Sequence, residues 1–138
     1  MARLRPALPW LAFLALGAAA LPARGETVAV LQGLDKTTAR ISTIDAPVGK
    51  SVRFGALLIT ARACVKRPPE EPPETSVFLE VDEVKPGASA VTVTRIFSGW
   101  MFKSSPALSA LEDPVYDLTV LDCRDTNAAS PEGAPPKG

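Results

Sequence analysis

From residue 27 to residue 124 the apolar positions recur with a period of two, in short runs rich in β-branched side chains. This is the pattern of half-buried strands. Val28 to Leu31 opens the series. Gly33-Leu34-Asp35-Lys36 reads as a turn into a second run, Thr37 to Ile44, in which Ala39, Ile41 and Thr43 alternate with Arg40 and Ser42. Asp45-Ala46-Pro47 reads as its break. Lys50 to Phe54 and Ala56 to Cys64 follow, with Gly55 between them as a bend or bulge. Val77, Leu79 and Val81 alternate with Phe78, Glu80 and Asp82. Lys85-Pro86-Gly87-Ala88 is a turn, and Val91 and Val93 alternate with Thr92 and Thr94 on the returning strand, which predicts a hairpin. The last run, Val115 to Cys123, sets Tyr116, Leu118 and Val120 on one face.

A 3.6-residue period is missing apart from one helical turn. Ser105 is its expected cap, Pro106 suits its first position, Ala107 to Leu111 continue it, and Asp113-Pro114 stops it. About seven short strands with turn signals between them predict an all-β fold, a small antiparallel β-sandwich or barrel.

The first residues have a different pattern. Arg3 and Arg5 precede an apolar run from Leu8 to Leu21, and Ala23-Arg24-Gly25 offers a small-residue cleavage site. This is the order of a secretory signal peptide, and the run is shorter than the roughly 20 residues that span a bilayer. Residues 1–25 therefore read as a signal peptide, 26–124 as the β-rich domain, and 125–138, rich in Ala, Pro and Gly, as a disordered C-terminal tail. The chain is expected to be periplasmic and to keep no stable membrane anchor after cleavage.

Export changes what the composition means. The 138-residue chain holds 15 basic and 15 acidic side chains, but losing Arg3, Arg5 and Arg24 leaves an acidic excess of three. Such a domain has no electrostatic reason to bind nucleic acid or anionic lipid. In an oxidising compartment the two cysteines, Cys64 and Cys123, are expected to form a disulfide and not a metal site. Their separation of 59 positions is unlike the C-x-x-C spacing of redox pairs.

Candidate chemistry is limited. With no histidine the chain has no Ser-His-Asp or Cys-His machinery and no histidine metal ligand. Neither Gly-x-Ser-x-Gly, Ser-x-x-Lys nor a glycine-rich phosphate loop occurs. No catalytic residue, metal ligand or cofactor is assigned. Two segments remain. Arg67-Pro68-Pro69-Glu70-Glu71-Pro72-Pro73-Glu74 favours an extended polyproline II path and reads as a stiff, solvated connector, or as a loop that docks a partner through Arg67, Glu70, Glu71 and Glu74. In Phe97-Ser98-Gly99-Trp100-Met101-Phe102, Gly99 beside Trp100 suggests a turn or bulge. Its rings Phe97, Trp100 and Phe102 either close the core or form a surface binding patch. Burial is favoured, because a small core needs its large side chains.

The aromatic segment with its continuation through Ser105-Pro106-Ala107-Leu108, Ala110-Leu111-Glu112 and Pro114-Val115-Tyr116-Asp117, and the stretch from Cys64 through Lys66-Arg67 to Glu74, resemble a family of exported bacterial proteins known only as a domain of unknown function, DUF2155. The likeness spans about Val28 to Cys123. Asp113 stands where the family pattern has histidine, so no histidine chemistry can be essential here. The resemblance supports export and a disulfide and implies nothing catalytic. The expected function is a non-enzymatic binding or scaffolding domain of the cell envelope with a protein partner. The alternatives are a small hydrolase using the carboxylates of the Pro-Glu loop and a small-ligand carrier with an apolar cavity.

The disulfide is directly testable. Thiol titration of the exported, denatured protein should find no free thiol; two reactive thiols would refute the pairing.

Overall fold

The computed structural model describes residues 25–126. Most of the expected signal peptide, and the tail from residue 127 onward, lie outside the described residues. Seven strands run in chain order: β1 (Thr27–Asp35), β2 (Arg40–Pro47), β3 (Ser51–Phe54), β4 (Leu57–Lys66), β5 (Thr75–Pro86), β6 (Val91–Phe102) and β7 (Tyr116–Asp125). They form two antiparallel sheets, one in the order β2-β1-β7 and one in the order β3-β4-β5-β6, so the fold is a two-sheet sandwich. The chain changes sheet at Val48-Gly49-Lys50, where Gly49 adopts φ +87° and its N–H donates to the Ala61 carbonyl at 2.8 Å.

Alternation fills the space between the sheets. Leu31 from β1, Leu57 and Ile59 from β4, and Val77, Leu79 and Val81 from β5 are fully buried, and Ala46, Met101, Leu118 and Val120 complete the layer. Each aliphatic side chain so buried contributes about 1.5–3 kcal/mol before conformational entropy is counted. Cys64 on β4 and Cys123 on β7 are disulfide-bonded with Cα atoms 5.9 Å apart, which ties one sheet to the other. Closing a 59-residue loop in this way is worth about 4 kcal/mol on the chain-entropy model.

The first hairpin departs from the sequence pattern. Gly33, Leu34 and Asp35 remain in β1, and the turn is Lys36–Ala39. Asp35 moves it: its Oδ1 accepts hydrogen bonds from Thr37 Oγ1 (2.6 Å), Thr37 N (2.9 Å) and Thr38 N (3.2 Å). The Thr37 hydroxyl is the main reason that the Asp35 carboxyl is held below its ordinary value. Asp35 then pairs with Arg40, and Ile44 lies opposite Leu31. The inward set is therefore Ile44 and Ala46 and not Ile41 and Thr43, and Ile41 is 62% exposed. A one-residue change of phase sends every side chain to the other face. Gly33 is the counterpart: a Cβ there would meet Ile44 Cδ1 and Phe54 Cζ at 2.7 Å. Asp45-Ala46-Pro47 does not break the run, because β2 lies at a sheet edge, where a terminal proline is tolerated.

Further differences are local. Gly55 and Ala56 form a two-residue hairpin loop in which Gly55 takes φ +56°. The irregularity in β6 lies at Ile96, skipped between the pairs Val81–Phe97 and Asp82–Arg95, and Gly99-Trp100 continues as regular strand. The helical turn is one 3-10 turn, Pro106–Leu108. Ser105 makes no side-chain cap, and only its carbonyl is used, accepting from Leu108 N at 3.1 Å. Strand β7 extends through Asp125, and Thr126 N donates to the Glu26 carbonyl at 3.0 Å.

Two positive-φ positions give opposite predictions. Ala39 adopts φ 55°, so Ala39→Gly should stabilise the domain by about 0.5–1 kcal/mol. At Gly55 an added Cβ would also collide with the Tyr116 ring, 2.7 Å from Cε1, so Gly55→Ala should cost about 1–3 kcal/mol. Urea denaturation of both variants checks the pair; equal midpoints would contradict it.

Candidate functional site

The Pro-Glu segment connects β4 to β5 and is more structured than a uniform polyproline path. Arg67 N donates to the Glu74 carbonyl at 3.0 Å, closing the neck, and Glu71 N donates to the Pro68 carbonyl at 3.1 Å, forming a turn. Its carboxylates do not converge. Glu70 is exposed, and Glu71 faces Arg67 Nε at 3.9 Å. Glu74 is held most firmly: Oε1 accepts from Thr75 N (3.0 Å) and Ser104 N (3.1 Å), and Oε2 accepts from the Ser104 hydroxyl. The Ser104 hydroxyl first, then the Ser104 and Thr75 amides and the charge of Arg67, keep the Glu74 carboxyl below its ordinary value despite some desolvation.

The loop roofs a cavity of about 490 Å³ at one end of the sandwich. Pro68, Pro69 and Pro73 line it from the loop, and Lys66, Lys103 and Ser104 from the strand ends. The volume falls in the range of small-molecule and peptide side-chain pockets. Lys66 Nζ lies 2.9 Å from Asp122 Oδ1 on β7. Burial works against the Asp122 charge, but Lys66 and the Cys123 amide (2.9 Å) outweigh it and leave the carboxyl lowered. Lys103 forms no ion pair among the described residues. Lys66, Lys103 and Ser104 were not legible as site residues. Glu74 and Ser104 are 30 positions apart, and no local spacing announces their contact.

The aromatic segment is divided by strand alternation. Phe97, Gly99 and Met101 lie opposite Val81, Leu79 and Val77 and face the core, whereas Trp100 and Phe102 lie opposite Phe78 and Ser76 and face outward. The expectation of one shared environment for the three rings fails for this reason. Trp100 is 40% exposed and makes an edge-on contact with Phe78, with ring centroids 5.4 Å apart. Val65, Ser76, Trp100 and Phe102 line a shallow depression of about 330 Å³. Depression and cavity share one end of the four-stranded sheet but lie on its opposite faces, because Val65/Lys66, Ser76/Thr75 and Phe102/Lys103 are consecutive residues whose side chains alternate. The outer face continues into an ionic belt: Arg62 to Glu80 at 2.8 Å, and Arg95 to Asp82 at 2.9 Å and to Glu80 at 3.4 Å. Among the described residues no group of three or more carboxylate, cysteine or histidine side chains could hold a metal ion.

The Glu74–Ser104 contact carries a pH signature. A carboxyl lowered in the folded state stabilises it above the unfolded pKa, and the contribution is lost as pH falls through the folded value. Glu74→Gln should therefore unfold at lower urea than wild type near neutral pH, with the gap closing below about pH 4. Ser104→Ala should raise the Glu74 pKa toward its ordinary value in an NMR titration. An unchanged Glu74 titration would overturn the assignment.

Comparison with known proteins agrees with this architecture. The family model described as an uncharacterized protein conserved in bacteria, DUF2155, matches residues 29–123, nearly the whole sandwich. An uncharacterized protein of Rickettsia prowazekii (strain Madrid E) is 30% identical over 90 residues, which cover 65% of this chain and 56% of that protein. The chain thus spans little more than half the length of that relative. No solved structure matches the chain. From the third residue of β1 to the disulfide cysteine of β7, the sandwich is the region the family model describes, and the chain belongs to the bacterial DUF2155 family.

Proposed function

We propose that this domain is a non-enzymatic binding or scaffolding module of the bacterial envelope, acting in the periplasm after export. Its contact region is the outer face of the four-stranded sheet at Trp100 and Phe102, near the end from which the Pro-Glu loop leaves. The observation that carries this reading is the outward pair Trp100 and Phe102, set in a depression on the outer face of the four-stranded sheet. Partly exposed aromatics of this kind supply contact area at low entropic cost and mark binding surfaces. A protein segment with an apolar side chain for the depression fits this surface.

The carboxylates favour binding over hydrolysis. General acid catalysis needs a carboxyl with a raised pKa, and Glu74 is shifted the other way by its three donors. Glu71 is engaged by Arg67. A carrier with an apolar cavity between the sheets is disfavoured by the packing of Leu31, Leu57, Ile59, Leu79 and Val81 across that space. Export is supported by the pattern of residues 1–25 and by the disulfide, which suits an oxidising compartment. Among the described residues no helix is long and apolar enough to cross a membrane.

Site-specific photo-crosslinking in living cells tests the proposal. A photoreactive phenylalanine analogue placed at Trp100 or Phe102 should give a discrete protein adduct, found in the periplasmic fraction, that the same analogue at Ile41 does not give. Glu74→Ala, which frees the loop, should reduce the adduct severalfold. Identical adducts from all three positions, or none from the sheet end, would overturn it.

A further inference from the structure

Edge strands expose unpaired backbone donors and acceptors, and folded proteins normally blunt them. Among the described residues three of the four sheet edges are blunted. Strand β2 ends in Pro47, β3 has four residues, and β7 carries Asp117, Asp122, Arg124 and Asp125 and pairs with β1 through a bulge. Strand β6 is different. It runs for 12 residues without proline, and its first half, Val91-Thr92-Val93-Thr94-Arg95, is exposed on both faces. Val91 is 65% and Val93 56% exposed. Its one charge, Arg95, is drawn back across β5 by Asp82 and Glu80 and does not guard the edge.

We propose that this edge pairs with the same edge of a second copy of the chain, antiparallel and centred on Val93, joining two four-stranded sheets into one of eight strands. The residue pattern is self-complementary in this register. A two-fold axis normal to the sheet keeps both outer faces on the same side. On that face Val84 lies opposite Val93 within one chain, and the axis extends the row to Val84–Val93–Val93–Val84, the second half from the second copy. The flanking rows place Arg95, already paired with Asp82, against Val91 of the second copy, which is followed by Pro86. On the other face Thr94 meets Thr92 of the second copy, so each row begins at Glu83 and ends at Lys85 of the other chain. Like charges oppose nowhere.

Neighbouring registers are worse for stated reasons. Centring on Arg95 sets two guanidinium groups against each other. Centring on Thr92 or Thr94 breaks the valine row and ends one row in two lysines or two glutamates. A symmetric interface needs such self-complementarity, residue i meeting j and j meeting i. Paired this way, the two Trp100 surfaces lie on the same face of the joined sheet. The pairing itself does not depend on what those surfaces bind.

Sedimentation velocity on the disulfide-bonded protein, purified from cells expressing the full chain, provides the test. Wild type should shift from monomer to dimer over two decades of concentration. Val93→Lys, which brings two ammonium groups together at the axis, should weaken the dimer at least about tenfold while leaving the thermal midpoint of the dilute monomer unchanged. Val93→Cys should form a disulfide-linked dimer under mild oxidation, since directly opposed strand residues approach to about 4.5–5.5 Å between Cα atoms. Ile41→Cys, on the outer edge of the other sheet, should not. Monomer at every concentration, a dimer indifferent to Val93→Lys, or equal crosslinking from both cysteine variants would each overturn the proposal.

Discussion

The closure of two sheets over one shared apolar layer, covalently held where Cys64 on β4 meets Cys123 on β7, is the constraint on which the remaining features depend. A domain of this size is stable by only about 5–15 kcal/mol, so a crosslink worth about 4 kcal/mol is a large fraction of the total. Its position matters as much as its magnitude. It brings the last residues of β4 beside β7, so Lys66 meets Asp122 and the β4–β5 loop leaves the sandwich at a defined point. The cavity, the Glu74–Ser104 contact and the outward aromatics all collect around that end.

At this end, polar and apolar groups have separate tasks. The Glu74 carboxylate is consumed in holding the loop to Ser104 after β6, and the Asp122 carboxylate in neutralising Lys66. Groups so satisfied stay ionised and orient chain segments, and they have little capacity left for proton transfer. The outward face carries what is not consumed, the Trp100 ring against Phe78 and the flank of Phe102, while the Lys103 ammonium lines the cavity. The midpoint of the same face is crossed by the Arg62–Glu80–Arg95–Asp82 belt. Exposed pairs of this kind add little stability, but here they fix the long side chains flat on the sheet and separate the aromatic end from the valine-rich hairpin tip.

The hairpin between β5 and β6 was the most legible part of the fold, because Val77, Leu79 and Val81 alternate without interruption and Pro86-Gly87 marks its loop. The Cys64–Cys123 bond was legible too, since only two cysteines are present and a leading segment that reads as an export signal favours their pairing. The first hairpin was not. Composition favours a turn at Gly33, but the Asp35 carboxylate captures Thr37 and Thr38 and moves it, and one residue of phase then exchanges Ile41 for Ile44 in the core. The aromatic segment misled for a related reason. A count of rings treats Phe97, Trp100 and Phe102 alike, whereas the pleat sends the first to one side and the other two to the opposite side.

By itself, then, the sequence determined the class of fold, the number of strands and the crosslink, because these follow from periodicity, turn chemistry and an even cysteine count, all of them local or compositional. Tertiary structure alone decided which residues form the site. Glu74 finds Ser104, Lys66 finds Asp122, and Val65, Ser76 and Phe102 line one depression only because strands far apart in the chain are laid side by side in a particular register. Register is a property of pairs of strands. It arises from hydrogen bonds and packing between segments whose separation along the chain carries no trace of the pairing.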